Sequence, residues 1–210
     1  MEKVVLMDKI DFKKTDSYHA PKTFQSIDVP QMQYLMIDGH GDPNTAQAYQ
    51  DALKTLYPVA YKLKFASKLA GRDYVMPPLE GLWWAEQMES FTVARDKSQW
   101  DWTMMLMVPE WLGPDDVAQA LDTAQSSGEL PAGDKIRLGC LSEGSCVQVL
   151  HIGSYDDEAP VLARMHEFIN EQGMDLSGKH HEIYLSDPRR VQPEKLRTIL
   201  RQPVVLASRK

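Results

Sequence analysis

Two cysteines in 210 residues are too few for a disulfide framework. Cys140 and Cys146 flank the turn signal Glu143-Gly144 and read as reduced thiols, and they supply too few ligands for a metal centre. Positive charge is also in deficit. The 23 Lys and Arg face 30 Asp and Glu, a net charge of −7, which argues against broad binding along a nucleic-acid backbone. No apolar run approaches the roughly 20 residues of a membrane helix. The N-terminus scatters Glu2, Asp8, Asp11 and Asp16 among its lysines and has no apolar stretch. A signal peptide is therefore not expected, and the cytoplasm is the expected location. Gly39-His40-Gly41 lacks the rest of a nucleotide fingerprint, and there is no Gly-x-Ser-x-Gly elbow.

What is present is ordinary in bulk and informative in pattern. Apolar residues make up 43% and charged residues 25%, as in a globular domain. Strand patterns at 23–29 and 34–39 flank Pro30 and lead into a helical segment from 45 to 69, which Pro58 should kink or divide. Strands follow at 82–87 and 102–108, then a helix from 114 to 127 that begins at Pro114. After the Ser126–Gly133 linker the order restarts. A hairpin is expected over 135–141 and 145–152, a helix over 158–172, and strands at 180–186 and 199–206. The fold class expected is α+β, built from a duplicated β-β-α-β-β unit about a pseudo-twofold axis. Residues 1–19 form an N-terminal arm and 20–207 one domain. Its first repeat covers about 20–110, a linking helix 114–127, and the second repeat about 134–207.

The most informative short stretch is His180-His181-Glu182-Ile183-Tyr184-Leu185-Ser186. With a period of two, Glu182 and Tyr184 share one strand face with His180, and His181 and Ile183 take the other. Adjacent strand histidines face opposite ways, so they do not chelate one ion. In the other repeat, Leu82, Trp84 and Glu86 share a face, and Trp83 and Ala85 share the opposite one. If the two strands stood face to face, Trp84, Glu86, Glu182 and Tyr184 would make a flat aromatic slot with acid at its floor. Tyr61, Trp102 and Tyr155 are further candidates for its wall. Such a slot attracts planar rings and cations, and a desolvated glutamate there can act as acid or base. Trp83, Trp100 and Trp111 read as packing residues. The arginines at 189, 190, 197 and 201 read as a solvated basic face.

Two stretches carry a family resemblance. Met76-Pro77-Pro78-Leu79-Glu80-Gly81-Leu82-Trp83-Trp84 and His181-Glu182-Ile183-Tyr184-Leu185-Ser186-Asp187-Pro188-Arg189-Arg190 resemble the stand-alone GyrI-like small-molecule-binding proteins, over about residues 20–207. The resemblance implies paired SHS2-type units enclosing a central ligand cleft between two antiparallel sheets. It is similar to the drug-sensing modules of regulators such as BmrR and Rob, where a buried glutamate, matching Glu182 here, meets lipophilic cations. Some stand-alone members resemble hydrolases of cyclopropanoid DNA-alkylating compounds. The resemblance implies that Glu182 is the functional glutamate and that the ligand is a planar hydrophobic or cationic small molecule. The leading reading makes Glu182 and, hydrogen-bonded to it, Tyr184 catalytic, with no cofactor needed. The alternatives are a non-catalytic sensor or sink and a module acting on DNA gyrase. Too little chain precedes the first strand for a helix-turn-helix, so direct DNA binding is not expected.

Overall fold

The period-two segments come together in a single antiparallel sheet, against which the helices pack. The computed structural model describes residues 9–85 and 96–207. In chain order the elements are β1 (Gln25–Val29), β2 (Met32–His40), α1 (Gln47–Leu69), β3 (Leu79–Trp84), β4 (Asp101–Met107) and α2 (Pro114–Gln125). The second half supplies β5 (Arg137–Leu141), β6 (Gly144–Ile152), α3 (Ala159–Glu171), β7 (Met174–Leu176), β8 (His180–Tyr184) and β9 (Arg197–Leu206). The strand order is β1-β6-β9-β8-β3-β4-β2-β5, with β7 added on β9.

That order reads the same way outward from the β3–β8 pair, as a pseudo-twofold duplication requires. The two antiparallel halves do not stack. They join edge to edge through β3 and β8, with Gly81 opposite Glu182 and Trp83 opposite His180. The expected hairpin of β5 and β6 is replaced by an exchange. β5 pairs with β2 of the first half, and β1 pairs with β6 of the second. Glu143, in the two-residue connection between β5 and β6, has a side chain 3% exposed and bonded to His181 and Arg201.

Both long helices cover one face of the sheet. Leu35, Ile37 and Met104 meet Leu56, Val59 and Leu63 of α1 in the larger core. Val147, Val149 and Leu200 meet Met165 and Ile169 of α3 in the smaller one. Each such buried side chain contributes about 1.5–3 kcal/mol. Pro58 neither divides α1 nor ends it, because Leu56, Val59, Ala60 and Leu63 anchor the helix on both sides of the missing backbone donor. The opposite face is crossed by the N-terminal segment read as an arm. Tyr18 packs there with Ile183 and Ile199, and Ile10 bridges to Tyr74.

Candidate active site

Over the β3–β8 seam, α1 and α3 leave a cleft of about 1150 Å³. Its floor is set by strand pairing. Directly opposed residues of antiparallel strands project to the same side. Glu182 opposite Gly81, Tyr184 opposite Leu79 and His180 opposite Trp83 therefore place Glu182, Tyr184 and Trp83 on the helix-covered face. Glu182 is 8% exposed.

These three side chains form a relay. Trp83 Nε1–H donates to the Tyr184 hydroxyl at 2.9 Å, and that hydroxyl donates to Glu182 Oε2 at 2.7 Å. The direction is fixed by chemistry, because an indole N–H can only donate and so leaves the phenol proton for the carboxylate. His180 Nε2 stands 3.5 Å from the other oxygen, Glu182 Oε1. Burial, and then the Glu182 charge, push the Tyr184 phenol well above its ordinary value. Burial likewise pushes Tyr155 up to about 12, with Glu158 and Glu182 adding to it. Gly81 makes the relay possible. A Cβ there would lie 2.8 Å from Trp83 Nε1 and 3.1 Å from the Tyr184 hydroxyl.

Aromatic walls rise around this floor. Tyr155 meets the Tyr184 ring edge-on at 5.6 Å between centroids, and Trp100 meets Trp83 edge-on at 5.8 Å. Tyr49, Tyr57 and Tyr61 line the α1 side, with Tyr61 at the exposed rim stacked on Phe65. His166 and Glu158 line the α3 side. Burial holds His166 below its usual range, and the neighbouring His180 adds to this.

Several sequence expectations are corrected here. Trp84 does not line the cleft. Strand parity turns it to the opposite face, where the Lys179 amine sits 3.1 Å from its ring centroid. Trp83, read as packing, takes the place beside Glu182. Trp102 is fully buried, its indole lying across Gly39, where a Cβ would come within 2.1 Å of the ring. The Trp84 and Glu182 strands are edge-to-edge neighbours rather than facing walls. Glu86 lies outside the described residues. Arg201 is not on a solvated face, being 1% exposed.

Arg201 belongs to a second polar cluster, on the far side of the seam. Glu80 accepts from the Tyr18 hydroxyl at 2.6 Å, from the Tyr34 hydroxyl at 3.3 Å and from His181 Nε2 at 2.9 Å. His181 Nδ1 is 3.0 Å from Glu143, which also binds Arg201 at 3.0 Å. Arg201 reaches Gln148 and the Ser17 carbonyl. Burial alone would lower His181, but Glu143 and Glu80 outweigh it and hold the imidazole up to about 9. Burial would likewise raise Glu143, but His181 and Arg201 hold it down at about 2. Among the described residues, no three His, Cys, Asp or Glu side chains are grouped to hold a metal ion. No helix among them is long and apolar enough to cross a membrane.

The cleft thus holds a buried carboxylate wired to a phenol, beneath aromatic walls and over the seam between the two halves. The model of the GyrI-like small molecule binding domain matches residues 23–205. The chain belongs to the GyrI-like family. Among solved structures, it is 39% identical to an uncharacterised conserved protein from Listeria innocua, with a TM-score of 0.86, covering 94% of this chain and 100% of that one. A Listeria innocua protein described as a hydrolase is 38% identical over the same shares, with a TM-score of 0.84. The C-terminal domain of EcmrR, 12% identical with a TM-score of 0.57, covers 88% of this chain and 98% of its own, and shares the fold. No curated protein matches in sequence.

Proposed function

We propose that this GyrI-like chain is a cytoplasmic, cofactor-independent hydrolase that opens strained, electrophilic rings on planar hydrophobic compounds, such as cyclopropanoid DNA-alkylating agents. The observation that carries the reading is the Trp83–Tyr184–Glu182 relay at the floor of an aromatic cleft. The planar body packs against Trp83, Trp100, Tyr155 and Tyr57. Glu182 accepts a proton from a water, whose oxygen bonds to the ring carbon. The ring C–C bond breaks, and its electron pair moves onto the conjugated carbonyl as an oxyanion. Proton return from the Glu182–Tyr184 pair completes a net addition of water. General-base assistance of this kind is worth about 10²–10⁴-fold in rate, and release of ring strain drives the step.

The similarity to a protein described as a hydrolase favours turnover over simple sequestration. Excess cyclopropanoid incubated with purified protein should yield many equivalents of the hydrated, ring-opened product, followed by mass spectrometry. One equivalent of bound, unchanged compound would make the protein a sink instead.

A further inference from the structure

The charges around the cleft are sorted by depth. Its two buried carboxylates, Glu158 and Glu182, lie at 3% and 8% exposure. The cations that line it stand at the mouth. Lys13, Lys54, Arg189 and Arg190 are exposed, and Lys97 is half-buried. The chain carries −7 overall, so a basic mouth is not a by-product of bulk composition.

Local ion pairs do not cancel the excess. Lys97 is matched by Asp156 at 3.0 Å. Asp187 takes a bidentate bond from Arg189, at 2.9 and 2.8 Å, and has Arg190 Nε at 3.6 Å, so one carboxylate serves two guanidinium groups. No carboxylate among the described residues pairs with Lys54. Both groups line the same cleft, and Tyr57, one turn beyond Lys54 on α1, lies near enough to Arg189 and Asp187 to feel both charges. A ligand lying flat on Trp83 and Tyr155 would therefore have its buried end near carboxylates and its outer end between Lys54 and Arg190.

We infer that the cleft selects planar hydrophobic compounds that carry an anionic group, a carboxylate, sulfonate or phosphate, on the edge left at the mouth. The inference rests on the reading of the cleft as a small-molecule site and names the class of molecule it takes. Lys54 and Arg190 are its specificity residues. Exposed charges of this kind act singly by modest amounts, and their combined effect on one anionic group is about tenfold in affinity, screened by salt.

Three probes of equal planar area test this: pyrenecarboxylate, pyrenemethanol and pyrenemethylammonium, titrated by calorimetry at neutral pH and low ionic strength. The carboxylate should bind about tenfold tighter than the alcohol, and the ammonium weakest. Raising salt to about 1 M should collapse the carboxylate's advantage. In a Lys54→Glu/Arg190→Glu variant, whose changed side chains are exposed, the ammonium should overtake the carboxylate. If the alcohol and carboxylate bind equally, or the ammonium binds tightest to the wild type, charge selection is wrong while the cleft reading stands. If the order survives the double charge reversal, these two residues do not set it. If none of the three probes binds, both the selection and the small-molecule reading fall.

Discussion

The hydroxyl of Tyr184 does two jobs at once. It accepts from Trp83 and donates to Glu182, so its removal separates the aromatic wall from the acid. Tyr184→Phe keeps the ring and should leave affinity for a neutral planar ligand nearly constant while lowering the ring-opening rate about 10²-fold. Parallel binding and rate measurements separate the two effects. Gly81→Ala acts by space. Its methyl would press on the Trp83 nitrogen and the Tyr184 oxygen together, so intrinsic tryptophan fluorescence should shift and turnover should fall with it. At this scale the sequence was half legible. Period two alone puts Glu182 with Tyr184, and Trp83 opposite to Trp84. Which tryptophan shares the Glu182 face depends on how β3 pairs with β8, residues about a hundred positions apart, and no local pattern carries that.

The N-terminal segment and the seam strands are joined by the buried cluster behind the sheet. Its members come from six places, Tyr18, Tyr34, Glu80, Glu143, His181 and Arg201, which is why their partnership was invisible in sequence. Its pH dependence has a definite sign. His181 is raised from 6.5 to about 9, so its contribution is full below about 6.5 and is lost as pH rises through about 9. Glu143 is lowered from 4.5 to about 2, so its contribution is full above about 4.5 and is lost as pH falls through about 2. The melting temperature should therefore be highest between about pH 4.5 and 6.5 and decline toward both sides. Flat melting between pH 6 and 9 would contradict an imidazolium at position 181. His181→Ala leaves Glu80 buried without its cation and Glu143 with Arg201 alone, and should cost about 3–5 kcal/mol in denaturant unfolding. The same seam strand thus carries the candidate site on one face and its own anchorage on the other.

For the whole molecule, the duplication was legible in the repeated order of elements, but the exchange of β1 and β5 was not. Each half lends its leading strand to the other, and the seam pairs β3 with β8. Neither half then has a complete sheet. Residues up to 133 and residues from 134 onward, expressed apart, should each lack a cooperative unfolding transition, and should regain one when mixed. A cooperative transition in either half alone would contradict the interlock. The interlock also fixes what the cleft can be, because its floor exists only where the two halves meet. The most direct test of the account compares wild type and Glu182→Gln for cyclopropanoid binding and for single-turnover ring opening. The prediction is nearly equal affinity for the neutral substrate with a rate at least about 10²-fold slower in the variant. Equal rates would remove Glu182 from the chemistry and with it the relay on which the proposed function stands.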